Sequence, residues 1–307
     1  MRVTVTGATG MLGRPLVEEL LDRGDEVTVL TRDSARTRRL FDGRAAAETW
    51  ADPKGEQPPQ RALSGRDGVV HLLGEPVAQR WTDAARREIH DSRVLATRNL
   101  VAALRALPDG DRPGALVSQS ASGFYGPRGD EPVTEDEPAG DDFLAQVCVD
   151  WEAEARAAAD LGMRVALTRT GVVLSDSGGA LEKMLPPFKL GVGGPVAGGR
   201  QYMPWIHTDD VVGALVFCLD DAAAVGPLNL AAPAPVTNAE LSKALGRVLH
   251  RPAFAPVPGF AVKALYGDMA QIVTTGVRAV PERLQELGYA FREPRLERAL
   301  QLAAGKR

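Results

Sequence analysis

The chain begins with a short strand, a glycine turn and a helix in direct succession. Residues 3–6 are rich in β-branched side chains, and three glycines follow, Gly7, Gly10 and Gly13. From Leu12 the apolar residues recur at every third or fourth position, which predicts a helix that ends at Gly24. Such a turn directs free backbone N–H groups and the positive end of a helix dipole at one point. The pattern therefore predicts a phosphate-binding turn.

Each glycine has a separate role in this prediction. Gly7 permits the turn, Gly10 lets a phosphate approach the backbone, and Gly13 lets helix and strand pack closely. A second strand at residues 26–30 completes the order strand, turn, helix, strand, which favours a dinucleotide site over the alternative of a simple tight turn. The residues expected at this end of the site are Thr6, Gly7, Thr9, Gly10, Met11, Leu12 and Gly13.

The end of the second strand predicts which dinucleotide binds. The adenosine ribose lies at this position in a dinucleotide fold, where a carboxylate binds a free 2′-hydroxyl and an arginine binds a 2′-phosphate. Arg32 comes first after the strand, before Asp33, and further arginines follow at positions 36, 38 and 39. The sequence therefore predicts NADP(H). In the alternative, Asp33 binds the ribose and the arginines form a solvated face.

A third buried strand is expected at residues 68–74, which are apolar almost throughout, as a parallel sheet requires. Leu73, Gly74 and Glu75 come at its carboxyl end and are expected to lie along the dinucleotide. His71 stands inside the apolar run. We expect it to be a hydrogen-bonded core residue rather than a catalyst.

Charge and composition exclude several classes of protein. The 307 residues carry 36 Lys and Arg against 40 Asp and Glu, so no basic face for nucleic acid or an anionic membrane is expected. Two cysteines and four scattered histidines predict neither a disulfide framework nor a metal site. The first strand has no leader before it and no apolar run is long enough to cross a bilayer, which predicts a cytoplasmic protein. The expected partners are a small-molecule substrate and, at most, a second copy in a homodimer.

The alternation of strands and helices continues to about residue 174 and then breaks down. Further strands are expected at residues 115–117, 164–174 and 226–230, and helices at 81–107, 143–161 and 260–274. The sequence thus predicts an α/β fold, a Rossmann-type doubly wound parallel sheet in residues 1–174 with returning segments around 202–230. Residues 175–307 are expected to form a smaller, mostly helical region that closes over the sheet edge.

Several segments together resemble one family, the atypical short-chain dehydrogenase/reductases of the "epimerase family" type, which carry a small C-terminal domain of unknown function. The resemblance covers essentially the whole chain and implies an extended-type Rossmann fold, NADP(H) binding and no settled substrate. The segments that carry it are Thr6-Gly7-Ala8-Thr9-Gly10-Met11-Leu12-Gly13, Leu73-Gly74-Glu75-Pro76-Val77, Trp81-Thr82, Asp91-Ser92-Arg93, Ser120-Ala121-Ser122-Gly123-Phe124-Tyr125-Gly126, Gly140-Asp141-Asp142-Phe143-Leu144-Ala145, Trp151-Glu152, Trp205-Ile206-His207-Thr208-Asp209-Asp210 and Leu249-His250-Arg251-Pro252.

The chain departs from the wider superfamily at the catalytic pair. Ordinary members use a tyrosine and a lysine four residues later on one helix, but this sequence contains no Tyr-x-x-x-Lys. Ser120 best matches the superfamily serine, and Tyr125 could supply a phenol, with a packed aromatic as the alternative. Glu75 is either an acid/base or a loop contact. Cys148 falls near the place of the lysine, where core packing is favoured.

The function expected from these features is that of an NADP(H)-dependent oxidoreductase of the atypical class, with Ser120 and Tyr125 near the reacting atoms. One alternative is a non-catalytic NADP(H)-binding sensor or regulator, which the missing pair favours. The other is a nucleotide-sugar epimerase or dehydratase. The missing pair disfavours an epimerase or dehydratase, because a transient keto intermediate needs a strong acid/base.

Overall fold

The structure is a computed structural model that describes residues 1–305. Within this range seven parallel strands form one sheet in the order β3-β2-β1-β4-β5-β6-β7. The predicted doubly wound Rossmann-type fold is confirmed. The strands are β1 (Arg2–Thr6), β2 (Glu26–Thr31), β3 (Ala46–Thr49), β4 (Gly68–His71), β5 (Ala115–Ala121), β6 (Arg164–Thr170) and β7 (Gly226–Leu230).

The sheet is buried on both faces, which is why its strands are apolar on both sides. In the part of the chain that the structure describes there are eleven α-helices; α1 and α6 pack on one face, and α3 and α4 on the other. The helices are α1 (Gly13–Asp22), α2 (Ser34–Leu40), α3 (Asp83–Arg105), α4 (Phe143–Arg156), α5 (Gly179–Lys189), α6 (Thr208–Asp220), α7 (Asn238–Leu249), α8 (Gly259–Tyr266), α9 (Gln271–Thr274), α10 (Glu282–Glu286) and α11 (Leu296–Ala303).

The carboxyl ends of three central strands meet at one edge of the sheet. β1 lies between β2 and β4, with Thr6 opposite Leu30 on one side and His71 on the other. The strand order runs outward in opposite directions from β1 and β4. A crevice therefore opens at this switch point, which is where open α/β sheets bind ligands.

A smaller, mostly helical region follows the sheet, as predicted. Its core consists of apolar side chains from α5, α7 and α11, including Leu181, Leu245 and Leu300. β7 pairs with β6 in the main sheet. The domain boundary at residue 174 stays a prediction. Three short strand pairs complete the region: Val172–Leu174 with Trp205–His207, Tyr202–Met203 with Val236–Thr237, and Pro132–Val133 with Arg278–Ala279.

Several predicted elements are shorter than expected. The strand predicted over residues 68–74 ends at His71, and the next N–H, that of Leu72, donates to the Thr6 side chain. The strand predicted over residues 164–174 is interrupted at Gly171, where a Cβ atom would lie 2.9 Å from the Pro204 carbonyl carbon. The helix predicted to residue 161 ends at Arg156. The helix predicted over residues 260–274 is broken at Gly267, which adopts a φ of 63° and separates α8 from α9. Backbone contacts between distant segments cause the break at Gly171, and a left-handed glycine causes the break at Gly267.

Candidate functional site

A cleft of about 200 Å³ opens at the switch point between β1 and β4. It is bounded by the loops that follow β1, β2 and β4 and by one edge of α3. Six of the eleven predicted cofactor-binding residues line it: Gly7, Thr9, Arg32, Leu73, Gly74 and Glu75. The other residues of its wall are Ala8, Leu30, Thr31, Trp50, Pro53, Lys54, Glu88 and Ser92.

The glycine turn forms the floor of the cleft, and packing explains two of its three glycines. Gly7 has a φ of 68°, and a Cβ atom there would lie 2.8 Å from the Leu72 carbonyl oxygen. A Cβ atom at Gly13 would lie 2.6 Å from the Ala8 Cα. At Gly10 it would meet only the Gly7 carbonyl oxygen, at 3.2 Å. Gly10 is thus the position where the protein itself leaves space beside the backbone.

The first turn of α1 has the unpartnered donors that an anion needs. No side chain among residues 1–305 caps this helix, which begins after Leu12. In the same range the backbone N–H groups of Met11 and Leu12 have no acceptor. The helix therefore presents free N–H groups and its positive dipole end beside Gly10, and these residues fit a pyrophosphate.

Thr6 and the apolar part of the turn support the cleft from behind. The Thr6 hydroxyl accepts a hydrogen bond of 3.0 Å from the Leu72 N–H and forms another, of 2.9 Å, with His71 Nδ1. It thereby fixes the end of β1 against the loop after β4. Leu12 and Gly13 are buried in the core between β1 and α1. Met11 lies against the start of α5, where a Cβ atom at Gly179 would be 2.9 Å from its Sδ.

Arg32 and Asp33 stand at the end of the cleft where the adenosine is expected. The Asp33 carboxylate accepts a hydrogen bond of 2.9 Å from the Arg36 N–H and so caps α2. Arg32 is exposed, lines the cleft and has no ion-pair partner among residues 1–305. The local structure therefore uses Asp33 to begin a helix and leaves the Arg32 guanidinium available to a ligand.

Lys54 and Glu88 are cleft residues that sequence reasoning missed. Lys54 Nζ donates hydrogen bonds of 2.7 and 2.9 Å to the two carboxylate oxygens of Glu88 on α3, and this ion pair lies at the cleft wall. Trp50 closes the floor nearby, with its indole N–H donating to the Glu56 carbonyl oxygen. Residues 42–66 have no clear periodicity, so only the fold brings Lys54 to α3.

Ser120 and Tyr125 lie in a buried polar network rather than in the wall of the cleft. Ser120 Oγ donates a hydrogen bond of 2.7 Å to the Glu152 carboxylate on α4. The Tyr125 hydroxyl donates to Asn229 Oδ1 at 2.6 Å and accepts from Arg169 Nη1 at 3.0 Å. Arg169 and Glu152 form an ion pair, so one network joins both predicted catalytic residues.

The surroundings of Tyr125 match those of a packed aromatic. Its side chain is fully buried, and this burial raises the pKa of Tyr125 to about 12, although the Arg169 guanidinium acts in the opposite direction. A phenol that exchanges protons near neutral pH needs a lowered pKa. Of the serines at positions 118, 120 and 122, only Ser122 lacks a side-chain hydrogen bond within the described part of the chain.

His71 has structural contacts, as expected, and so does His207. The His71 ring bonds to Thr6 Oγ1 at 2.9 Å and to Thr97 Oγ1 at 3.0 Å, and burial lowers its pKa to about 3. His207 Nδ1 accepts a hydrogen bond of 3.2 Å from the Asp209 N–H at the start of α6. Neither ring lines the cleft.

Residues 1–305 contain neither a candidate metal site nor a candidate membrane-spanning helix. No group of three or more His, Cys, Asp and Glu residues within residues 1–305 could hold a metal ion. No helix of that range is both long and apolar enough to cross a membrane. Cys148 and Cys218 are buried free thiols.

Comparison with known proteins gives two matching family models and several similar relatives. The model of the NAD dependent epimerase/dehydratase family matches residues 3–231, and that of a domain of unknown function, DUF1731, matches residues 257–303. An epimerase family protein of Mycobacterium bovis is 40% identical over 97% of this chain and 96% of its own length. The chloroplastic SDR39U1 homolog of Arabidopsis thaliana is 39% identical over 98% of this chain and 86% of its own length.

A solved structure is similar over the full length. The crystal structure of human epimerase family protein SDR39U1 (isoform 2) with NADPH has a TM-score of 0.89 and 35% identity, and the match covers 100% of both chains.

Proposed function

Because the chain belongs to the NAD dependent epimerase/dehydratase family and carries the DUF1731 domain, we propose that it is an NADP(H)-dependent oxidoreductase acting on a small, unidentified substrate. The family resemblance inferred from the sequence motifs is confirmed by these matches. The proposal includes the oxidoreductase activity, a cytoplasmic location and a monomeric or dimeric state.

One observation carries the cofactor assignment: the cleft joins an uncapped helix N-terminus at the glycine turn to a free arginine at the end of β2. The free N–H groups of Met11 and Leu12 would hold the pyrophosphate, and Arg32 would hold the 2′-phosphate. The similar human protein was crystallised with NADPH, which agrees with this choice of cofactor. Leu73, Gly74 and Glu75 line the continuation of the cleft beyond the turn.

The bound nicotinamide would supply or accept a hydride, and the protein must then move a proton. Glu75 is the group in position for that role. Its half-buried carboxyl lines the cleft and contacts the Gln79 side-chain amide at 3.4 Å. Ser120 and Tyr125 hold the corner between β5, β6 and α4 through Glu152 and Arg169. We therefore assign them a positioning role and Glu75 the proton transfer.

A sensor that binds NADP(H) without turnover is the second candidate, and one observation favours it. The hydroxyls of Ser120 and Tyr125 are both engaged in buried hydrogen bonds, so the two predicted catalytic groups have no free donor facing the cleft. An epimerase or dehydratase is disfavoured because these hydroxyls are engaged and because the chain has no Tyr-x-x-x-Lys pair.

Oxidation of NADPH in the presence of small aldehydes and ketones distinguishes these functions. The proposal predicts that at least one carbonyl compound is reduced with loss of the reduced-nicotinamide absorbance. It also predicts that Glu75→Gln lowers kcat more than it weakens NADPH binding. The matched control is Glu18→Gln on the exposed side of α1, which pairs with Arg14. Tight NADPH binding with no turnover of any compound would favour the sensor and contradict the oxidoreductase.

A further inference from the structure

Arg93 places a positive charge at the wall of the cleft, on the side opposite Arg32. It projects from α3 against Gly74, where a Cβ atom would lie 2.9 Å from its Cζ, 3.0 Å from Nη2 and 3.2 Å from Nε. Gly74 lines the cleft together with Glu75 and with Ser92, the residue before Arg93. The edge of the guanidinium that carries Nε and Nη2 therefore lies directly behind the wall of the candidate site.

Two of the three guanidinium nitrogens have no partner in the protein. Nη1 donates a hydrogen bond of 2.9 Å to the Ile89 carbonyl oxygen. Nε and Nη2 make no hydrogen bond within residues 1–305, and no carboxylate of that range forms an ion pair with Arg93. Arg93 is half-buried, and since an arginine in such a position is commonly paired with an acid, these free donors point to an acceptor that comes from outside the chain.

The guanidinium is held in place by its surroundings. Its Cζ lies 5.3 Å from the centre of the Trp151 ring on α4, within the range of a cation–π contact. Burial lowers the pKa of Arg93, while electrostatic interactions with Cys148 and Glu75 act in the opposite direction. The side chain is half-buried, so the cation is partly withdrawn from water. Its interaction with Cys148 places it beside the part of α4 where the missing lysine was expected.

We propose that Arg93 binds the ribose of the nicotinamide half of NADP(H) through Nε and Nη2. This inference rests on the proposed NADP(H) binding. A guanidinium edge presents two parallel N–H donors, which suit two neighbouring oxygen atoms such as those of a ribose diol. The cation thus comes from α3 in this chain, whereas the Tyr-x-x-x-Lys pair would place it on α4.

The position of Arg93 favours the ribose over the pyrophosphate. The pyrophosphate has its own donors at the turn after β1, and the adenosine end is marked by Arg32 after β2. Arg93 lies behind the loop after β4, on the other side of the switch point. A dinucleotide that crosses the switch point brings its second nucleotide to this side.

Calorimetric titration with three ligands tests the proposal. NADPH and 2′-phospho-ADP-ribose both contain the second ribose, whereas 2′-phosphoadenosine 5′-diphosphate contains the pyrophosphate and lacks that ribose. Arg93→Met removes the guanidinium and keeps an unbranched apolar side chain. The proposal predicts that it weakens binding of the first two ligands about tenfold or more, as expected for lost hydrogen bonds to a charged donor, and leaves the third within a factor of about two.

The controls separate this proposal from the proposed function. Arg98→Met on the same helix removes an exposed arginine that pairs with Glu154, and it should leave all three affinities unchanged. If Arg93→Met does not fold, Arg93→Gln takes its place, because an amide can still pack over Trp151. Equal weakening of all three ligands, or unchanged NADPH affinity, would overturn the role of Arg93. Failure of the unmodified protein to bind NADPH would overturn the proposed function itself.

Discussion

Glu152 on α4 and Arg169 on β6 form a buried, two-pronged ion pair, with Nε 2.8 Å from Oε1 and Nη2 3.0 Å from Oε2. Both side chains are almost fully buried, at 1% and 3% exposure. The Ser120 hydroxyl donates to the same carboxylate, and the Tyr125 hydroxyl accepts from the same guanidinium. The pair therefore fixes the end of β5 and the loop after it, which contain the residues that most resemble a catalytic site.

Removing one partner of this pair should be costly. Arg169→Met leaves the buried Glu152 carboxylate with the Ser120 hydroxyl and with the half-exposed Arg156 guanidinium, at 2.9 Å, as its remaining partners. We expect the free energy of unfolding to fall by about 3–5 kcal/mol, because the buried carboxylate loses its buried partner. Urea unfolding followed by circular dichroism measures this loss. The control is Arg61→Met, which removes an exposed pair with Glu48 and should cost less than about 1 kcal/mol. Equal losses in the two variants would contradict a structural role for the pair.

Gly10→Val should abolish dinucleotide binding and leave the fold intact. Among the described residues a Cβ atom at this position meets the Gly7 carbonyl oxygen alone, at 3.2 Å, so a small shift of the turn accommodates it while the side chain fills the space for a phosphate. Gly110→Val is a matched control, since nothing lies within 4 Å of a Cβ atom there. Binding by fluorescence titration and thermal unfolding would be measured for both. Retained affinity for NADPH in Gly10→Val would show that the turn does not contact the cofactor.

Arg32→Ala should reduce affinity for NADPH far more than affinity for NADH. Loss of a charge-assisted contact to the 2′-phosphate is expected to weaken NADPH binding about tenfold or more. NADH lacks that phosphate and should be affected little. Arg44→Ala is the control, because Arg44 pairs with Asp22 and does not line the cleft. The same loss for both cofactors would contradict the 2′-phosphate assignment. A smaller loss of NADPH affinity in Arg32→Ala than in Arg93→Met would show that Arg32 is not the main cation that binds the cofactor.

The buried His71 ring predicts a loss of stability in acid. Burial lowers its pKa to about 3, below the unfolded value of 6.5, so between these values the unfolded chain binds more protons than the folded one. The stabilising contribution is complete above pH 6.5 and decreases as the pH falls, by up to about 1.4 kcal/mol per pH unit. The loss of stability in acid is tested by unfolding free energies of the parent protein and of His71→Gln. They are measured between pH 4 and 8, at steps of about one pH unit. His250→Gln is the surface control. A His71→Gln variant with the same pH slope as the parent would contradict the prediction.

The fold and the cofactor end of the site could be predicted because their signals are local. The glycine turn, the apolar strands and Arg32 each stand within a few residues of the feature they explain. Lys54 could not be predicted, since its contact with Glu88 joins residues 34 positions apart across a segment without periodicity.

The catalytic end could not be predicted because its contacts are long-range. Ser120 and Tyr125 were selected by motif, but Glu152 and Arg169 determine where their hydroxyls point. One signal is available: Arg169 is a charged residue inside the strand predicted over residues 164–174, and a buried arginine needs an acidic partner. Arg93 had no such signal, because on an amphipathic helix it looks like any solvated arginine until the fold places it behind Gly74.

Titration of the purified protein with NADPH, NADP⁺ and NADH tests the central claim most directly. Trp50 lines the cleft, so energy transfer from tryptophan to the reduced nicotinamide reports binding at this site. The account predicts saturable binding of NADPH and NADP⁺, with NADH at least about tenfold weaker because it lacks the phosphate that Arg32 binds. Binding of none of the three, or equal affinity for NADPH and NADH, would contradict it.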